Sequence, residues 1–289
     1  MLVALLAHAI VSAAIPPPTS ITMTVEGSIE ATLQRALPSK DASELAAQVA
    51  RLMRWRGDFI RHAQRGDVMT LLYEQGETQQ ELVAVAYRGQ ELRLTAYRYA
   101  DENGVQRFYD ENGTLIEPGI KNSPVARYTQ ITERVDPGRG NRRHAGMDFK
   151  APTGSPVRLP FAGRVNRVNW NRVNGRCVEV AIGGGRLVRF LHLDSIAKNV
   201  KPGAQLAIGS SIGTVGNTGR SSAPHLHYEI RDSGDHPLEP DKIHGTFVVK
   251  LGKEQQPDFA KAKARVDKRF AEADGAVATL SVTKSQSSK

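Results

Sequence analysis

The sequence predicts a mainly β protein made of an antiparallel β-sheet domain, a smaller α+β accessory domain before it and a C-terminal helix. Three observations carry that prediction. From Gly146 to Ile230 short β-branched segments alternate with Gly-rich turns, without helical periodicity of useful length. From Val68 to Tyr109 apolar and polar residues alternate with period two. Helical spacing is confined to stretches near the two ends.

Residues 1–14 form an apolar run followed by Ile15 and three prolines. The run is shorter than the ~20 apolar residues of a membrane-spanning helix. It has the apolar core and small residues of a secretory signal but lacks the basic start, so a signal with an atypical or truncated beginning is expected; a buried N-terminal helix or strand is the alternative. Helical spacing marks Gly27 to Leu37 and Asp41 to Met53. In the second, Leu45, Val49 and Leu52 share a face, and Asp41 with Glu44 resembles a capping box. Strands are expected at Val68 to Tyr73, Glu81 to Tyr87, Glu91 to Tyr99 and Val105 to Tyr109, with turns at Asn103-Gly104 and Asn112-Gly113. Pro118, Pro124 and Pro137 mark a crossing into a second domain, whose strands are expected at Val165 to Val168, Val178 to Ile182, Leu187 to His192, Ser211 to Val215 and Leu226 to Ile230. Asp258 to Ala273 is expected as a surface helix with Pro257 in its first turn, and the last dozen residues as a disordered tail. The expected division is a leader and linker (1–19), an accessory domain (20–118), a β-sheet domain (119–250, core 141–240) and a C-terminal segment (251–289).

A chain of 289 residues with 40% hydrophobic content can hold an ordinary globular core, which excludes general disorder. One cysteine, Cys177, excludes an internal disulfide and a Cys-rich zinc cluster. It is expected as a small buried side chain. The net charge of +9 is concentrated: residues 138–189 hold eleven Lys or Arg against Asp148 and Glu179. Such a face suits an anionic partner, be it nucleic acid, an acidic polymer or a cell wall, or serves solubility alone. No aromatic stacking platform or known reader motif accompanies the charge, so nucleic acid is not the expected partner.

Four of the eight histidines fall in three short stretches: His144 with Asp148, His192, and His225 with His227. On a strand, alternate side chains share a face, so His225 and His227 point at one target while Leu226 points inward. A surface pair of hydrogen-bonded histidines would look the same. The nearby His144, Asp148 and His192 raise the metal reading. With cysteine unavailable, two His and one carboxylate would make a mixed nitrogen and oxygen shell, leaving the other imidazoles beside a metal-bound water. That arrangement suits a hydrolase, in which the metal lowers the pKa of the water to roughly 7 and a neutral His takes the proton. No His-Glu-x-x-His helix motif is present.

His144-Ala-Gly-Met-Asp148, Ala151-Pro-Thr-Gly-Ser-Pro156-Val157, Gly163, His192-Leu193, Val200-Lys-Pro-Gly203, Ile212-Gly213, Gly216-Asn-Thr-Gly219 and Pro224-His-Leu-His227-Tyr-Glu229 resemble, in order and spacing, the lysostaphin-type or LytM-domain zinc metallopeptidases. The upstream meander, with Gly66-Asp67, Ala96-Tyr-Arg-Tyr99 and Tyr109-Asp-Glu-Asn-Gly113, resembles more loosely the accessory domain of the Gram-negative subgroup that acts on peptidoglycan cross-links. The resemblance implies one Zn2+ per chain held by His144, Asp148 and His227, with His225 as general base and His192 orienting or stabilising the tetrahedral intermediate. It implies hydrolysis of a peptidoglycan stem-peptide bond, with the D-alanyl to diaminopimelate cross-link favoured by the accessory match. It implies a periplasmic or secreted monomer, with peripheral association to the envelope. The alternative is a non-catalytic LytM-type module that binds wall or activates an amidase; such members typically lack some ligands, whereas all five residues are present here. Two departures stand out: Phe190 occupies a position where the family often has Tyr, and Trp170 to Arg176 replace a shorter Gly-rich turn. Gly146 and Gly219 are expected in tight turns or close strand approaches.

Overall fold

The computed structural model describes residues 17–56, 63–136 and 144–286. The expected leader at residues 1–14 lies outside the described residues. Among those described, no helix is long and apolar enough to cross a membrane.

The N-terminal region is a five-stranded antiparallel sheet in chain order: β1 (Thr19–Thr24), β2 (Val68–Gln75), β3 (Gln80–Arg88), β4 (Arg93–Ala100) and β5 (Gln106–Tyr109). Four of these match the sequence expectation to within a few residues. β1 was not expected: Ile21-Thr-Met23-Thr alternates, but six residues after three prolines carry little periodic signal, and pairing to β2 supplies the rest. Gly104 and Gly113 adopt φ of 77° and 69°, the left-handed turn conformation their Asn-Gly signals demand.

Two helices lie between β1 and β2. Ser28 caps α1 (Ile29–Leu33) by accepting a hydrogen bond from the Ala31 amide. α2 (Ser39–Met53) begins two residues before Asp41, directly after Pro38, which has no side-chain cap bond. The Asp41–Glu44 capping box therefore does not form. Glu44 instead accepts from the Gln80 amide at 2.9 Å, tying the helix to β3. Leu45, Val49 and Leu52 share the buried face and pack with Leu71, Leu82 and Val85 of the sheet.

The opposite face of that sheet is covered from the far end of the chain. Phe259 and Phe270 of α4 (Gln256–Gln286) pack with Leu72, Ala84 and Tyr97, and Asp274 accepts from Thr22, Thr70 and Arg88. Phe259, Val266 and Phe270 repeat at helical spacing, so the amphipathic stripe was legible while its partner was not. The helical backbone also runs on to Gln286, through most of the segment expected as a disordered tail. Extending a formed helix costs far less than nucleating one, so a helix already docked through Phe259 and Phe270 carries on into the Ser- and Thr-rich stretch.

The second region centres on an eight-stranded antiparallel sheet. After β6 (Gly119–Ile120) come β7 (Gln130–Glu133), β8 (Met147–Lys150), β9 (Pro156–Arg158), β10 (Gly163–Asn171), β11 (Gly175–Ile182), β12 (Arg186–Leu193), β13 (Ser195–Ile196), β14 (Gln205–Leu206), β15 (Ser211–Thr214), β16 (His225–Arg231) and β17 (Pro237–Leu238). The order is β14-β10-β11-β12-β16-β8-β7, with β17 beside β16; β13, β15 and β9 form a separate small sheet. All five strands expected here are present. The short α3 (Pro240–His244), with Pro240 in its first turn, leads to β18 (Thr246–Phe247), which pairs with β6.

One face of the large sheet is the core, where Leu226, Tyr228 and Ile230 alternate inward against Met147, Phe149, Val178, Val188 and Phe190. The other face carries the polar half of the same alternation. Cys177 is buried and unpaired, as expected. Phe190 is fully buried, its ring 5.3 Å from that of Tyr228, so the hydroxyl absent there removes nothing from the polar face.

Candidate active site

β16 and β8 are antiparallel neighbours whose register sets His227 opposite Asp148 and His225 opposite Lys150. Because Leu226 and Tyr228 are committed to the core, His225, His227 and Glu229 must emerge together on the opposite face. On the far side of β16, β12 sets Leu191 opposite His227 and ends at His192 and Leu193. His144 enters four residues before Asp148, in an antiparallel bridge to Asp136 just beyond β7. The five residues singled out from the sequence thus converge from three strands and one flanking segment.

Asp148 is the hub. Its Oδ1 lies 2.8 Å from His227 Nδ1, its Oδ2 3.2 Å from His144 Nε2, and Oδ2 is 3.7 Å from His225 Nε2. Ligand atoms of His144, Asp148 and His227 all lie within 4.8 Å of one another. Burial pushes the Asp148 carboxyl up, but hydrogen bonds from His144 and His227 outweigh it and hold the group well below the ordinary carboxylate range. Burial likewise opposes charge on His227, and its two carboxylate neighbours, Asp148 and Glu229, overcome that and raise it to about 9. His144 is also raised, its burial offset by Asp148.

The free nitrogen of each imidazole follows from the bond at its other nitrogen. His144 Nδ1 donates to the Arg134 carbonyl at 3.1 Å, which leaves Nε2 for the cluster. His225 Nδ1 donates to the Ala223 carbonyl at 2.8 Å and lies 3.2 Å from the Ser221 hydroxyl, leaving Nε2 as the nitrogen that faces the cluster. His192 has φ of 62°, a left-handed conformation uncommon for a side-chain-bearing residue. The Asn174 carbonyl accepts from its backbone amide, and Nδ1 donates to the Thr218 carbonyl at 2.8 Å. Its ring lies 4.9 Å from that of His225, and burial lowers its pKa, favouring the neutral form.

Close packing fixes this arrangement. A Cβ at Gly146 would sit 2.5 Å from the Tyr228 carbonyl oxygen and 2.9 Å from His227 Nε2, so no side chain fits there. Gly219, at φ of 76°, lets the loop before β16 lie against Gly175 in the β10–β11 hairpin. The Trp170 to Arg176 departure forms this hairpin tip: the Arg220 amide donates to the Val173 carbonyl, and the Arg176 amide to the Thr218 hydroxyl. Trp170 and Val173 stand exposed on it.

The N-terminal region reaches the site from the other side. Arg51 and Leu52 of α2, Gln79, Glu81 and Arg98 share with Glu133, Asp148, Pro224 and His225 a cleft of about 590 Å³. Arg134 holds the two regions together: it donates to the Arg54 carbonyl and to Asp241, and its guanidinium lies 4.4 Å from the centre of the Trp55 ring. Neither Arg134 nor Glu229, which touches His227, was given a role from the sequence. For Glu229 the signal was present, since it continues the alternation of His225 and His227. Arg134 gave none.

Two imidazoles and an ionised carboxylate converge on one point, with two further imidazoles beside them, a donor set of the kind that can hold a divalent metal ion. Residues 142–240 match the model of Peptidase family M23, and the chain carries a domain of that family. Similar proteins include the peptidoglycan DD-endopeptidases ShyC and ShyA of Vibrio cholerae. The chain is 29% identical to ShyC over 76% of its own length and 52% of that protein, and 28% identical to ShyA over 88% and 60%. It thus spans between about half and three-fifths of these relatives. Among solved structures, a zinc containing peptidase from Vibrio cholerae matches with a TM-score of 0.39 and 27% identity, over 77% of this chain and 69% of that one.

Proposed function

We propose that the protein is a zinc-dependent endopeptidase that hydrolyses peptide cross-links of bacterial peptidoglycan, with the D-alanyl to diaminopimelate bond as its target. The observation that carries this reading is the convergence of His144, Asp148 and His227 within 4.8 Å, with His225 and His192 immediately beside them. The donor set fits zinc: two imidazoles and one carboxylate leave a coordination position open, and each ligand His has its other nitrogen engaged. One such ion per chain would polarise the scissile carbonyl and acidify the attacking water.

The protein's own groups do the rest. His225, with Nδ1 tied to Ala223, accepts a proton at Nε2 and serves as general base. His192, neutral and held by Thr218, orients the water or the tetrahedral intermediate from the neighbouring position. Asp148 stays ionised throughout. The substrate class rests on the relatives named as peptidoglycan DD-endopeptidases, and it requires the protein to work outside the cytoplasm, at the cell envelope. The basic segment suits the carboxylates of wall peptides, and the protein acts as a monomer. Residues 20–118 with the C-terminal helix form an accessory unit, and residues 119–250 the peptidase unit. The completeness of the site disfavours a non-catalytic wall-binding or amidase-activating role.

Muropeptides with direct and with glycine-bridged cross-links, digested separately and resolved by mass, test the reading. The expected product is monomer from the direct cross-link, lost in His225→Ala. Cleavage by His225→Ala at the wild-type rate would refute the assignment.

A further inference from the structure

His227 is held on both sides. Its Nδ1 faces Asp148 at 2.8 Å, and its Nε2 lies 3.1 Å from Glu229 Oε1. Both His227 and Glu229 are buried. An ionised carboxylate can only accept, so metal-free His227 donates from both nitrogens, to Asp148 and to Glu229; an ion shared with Asp148 would displace the Nδ1 proton, while the Glu229 contact keeps the one on Nε2. The two candidate ligand histidines therefore present different nitrogens: His144 gives Nε2 because a backbone carbonyl takes Nδ1, and His227 gives Nδ1 because a carboxylate takes Nε2.

Glu229 is itself fixed. Its Oε2 accepts from Arg231 Nε at 2.6 Å and Arg189 at 3.4 Å. Arg189 is anchored in turn by Glu179 Oε2 at 2.7 Å and Asp235 Oδ1 at 2.8 Å. The register explains the order: Glu229 of β16 stands opposite Arg189 of β12, and Arg189 opposite Glu179 of β11. A row of alternating charge thus crosses three strands one step behind the cluster. Its carboxylate nearest the site has one oxygen on a guanidinium pair and the other on the imidazole. Such an arrangement spends buried charge on direction, which a merely structural ion pair would not need to aim at a histidine ring.

We propose that Glu229 is the positioning residue that determines which nitrogen His227 gives to the metal, and that Arg231 and Arg189 hold the Glu229 carboxylate in place for it. This inference rests on the metal reading of the cluster and adds to it a residue that contacts neither metal nor substrate.

The test uses the full chain, stripped of metal and titrated with zinc against a chelator of known affinity. Glu229→Gln is expected to bind zinc about 10 to 100 times more weakly, the effect typical of losing a carboxylate behind a ligand histidine. Arg231→Gln, which can act on the metal only through Glu229, should weaken zinc by a smaller factor, and the double variant should lose less than the product of the two. Glu229→Asp, keeping the charge, should recover part of the loss. Nitrogen-15 spectra of the zinc-loaded wild type should show the remaining ring proton of His227 on Nε2. Zinc affinity within threefold of wild type in Glu229→Gln, with unfolding of the metal-free variant unchanged, overturns the proposal. So does a His227 ring proton on Nδ1. Should Glu229→Gln fail to fold, undiminished zinc affinity in Arg231→Gln overturns it instead. Asp148→Ala separates the two readings: if it abolishes zinc binding while Glu229→Gln does not weaken it, the metal site stands and the positioning role falls.

Discussion

The two sheets use their polar groups in opposite ways. In the N-terminal sheet they tie elements together: Tyr87 donates to Asp67 at 2.6 Å, and Asp274 gathers Thr22, Thr70 and Arg88 where the C-terminal helix crosses the strands. Both faces of that sheet are covered, by α2 on one side and α4 on the other. In the larger sheet one face is core and the other is polar, and its titratable groups point at one another. Here a carboxylate and the imidazoles around it favour each other's charged forms, and the same convergence of donor atoms suits a bound ion. Dispersed polar bonds mark a region built for stability, and convergent ones a region built for chemistry.

The comparison breaks most readily at the hub. Asp148→Ala, Asp148 being the residue that both candidate ligand histidines touch, should abolish zinc binding and lower kcat on cross-linked muropeptide by at least about 10²-fold, measured by metal analysis and product formation. Phe259→Ala should do the reverse, costing about 3 kcal/mol or more in denaturant unfolding through the cavity left under Tyr97, Tyr99 and Tyr109, with zinc affinity unchanged. If that variant instead loses zinc, the two regions are not energetically separable.

Glu117 sharpens the boundary between them. It is buried where the regions meet and accepts from the Ile131 amide, and burial pushes its carboxyl up to about 7 despite that bond and the charge of Arg107. A folded pKa above the unfolded value means both states are protonated below about pH 4.5 and the fold carries no penalty there. The penalty grows as pH rises and is complete above about 7. Glu117→Gln should therefore stabilise the protein at pH 8 by up to about 3 kcal/mol and leave it unchanged at pH 4, read as the difference in unfolding free energy. The smallest effect belongs to the half-exposed Arg54–Asp136 pair at 3.0 Å: Asp136→Asn should cost under about 1 kcal/mol, less at high salt.

How much of this was legible in the sequence follows the same division. The convergence of His144, Asp148, His192, His225 and His227 was readable because metal chemistry restricts residue type and strand alternation restricts spacing, so His225-Leu-His227 carries its own geometry. Strands long enough to show a period were readable too. β1 was not, being six residues whose pattern becomes meaningful only once Thr24 faces Val68. The start of α2 was misplaced because Asp41 and Glu44 fit a cap that Pro38 and Ser39 already precede. The docking of α4 on a sheet some two hundred residues earlier, and the cleft shared by α2 and His225, depend on contacts between segments that no local pattern specifies.

The central claim is that the convergent face is a hydrolytic zinc centre in which His225 acts without binding the ion. Removal of metal by a chelator followed by return of one equivalent of zinc, with cleavage of directly cross-linked muropeptide followed by mass, tests it most directly. Wild type should lose cleavage and regain it, and His225→Ala should take back the zinc yet stay inactive. Cleavage by the metal-stripped wild type, or recovery of cleavage by zinc-loaded His225→Ala, would contradict the account.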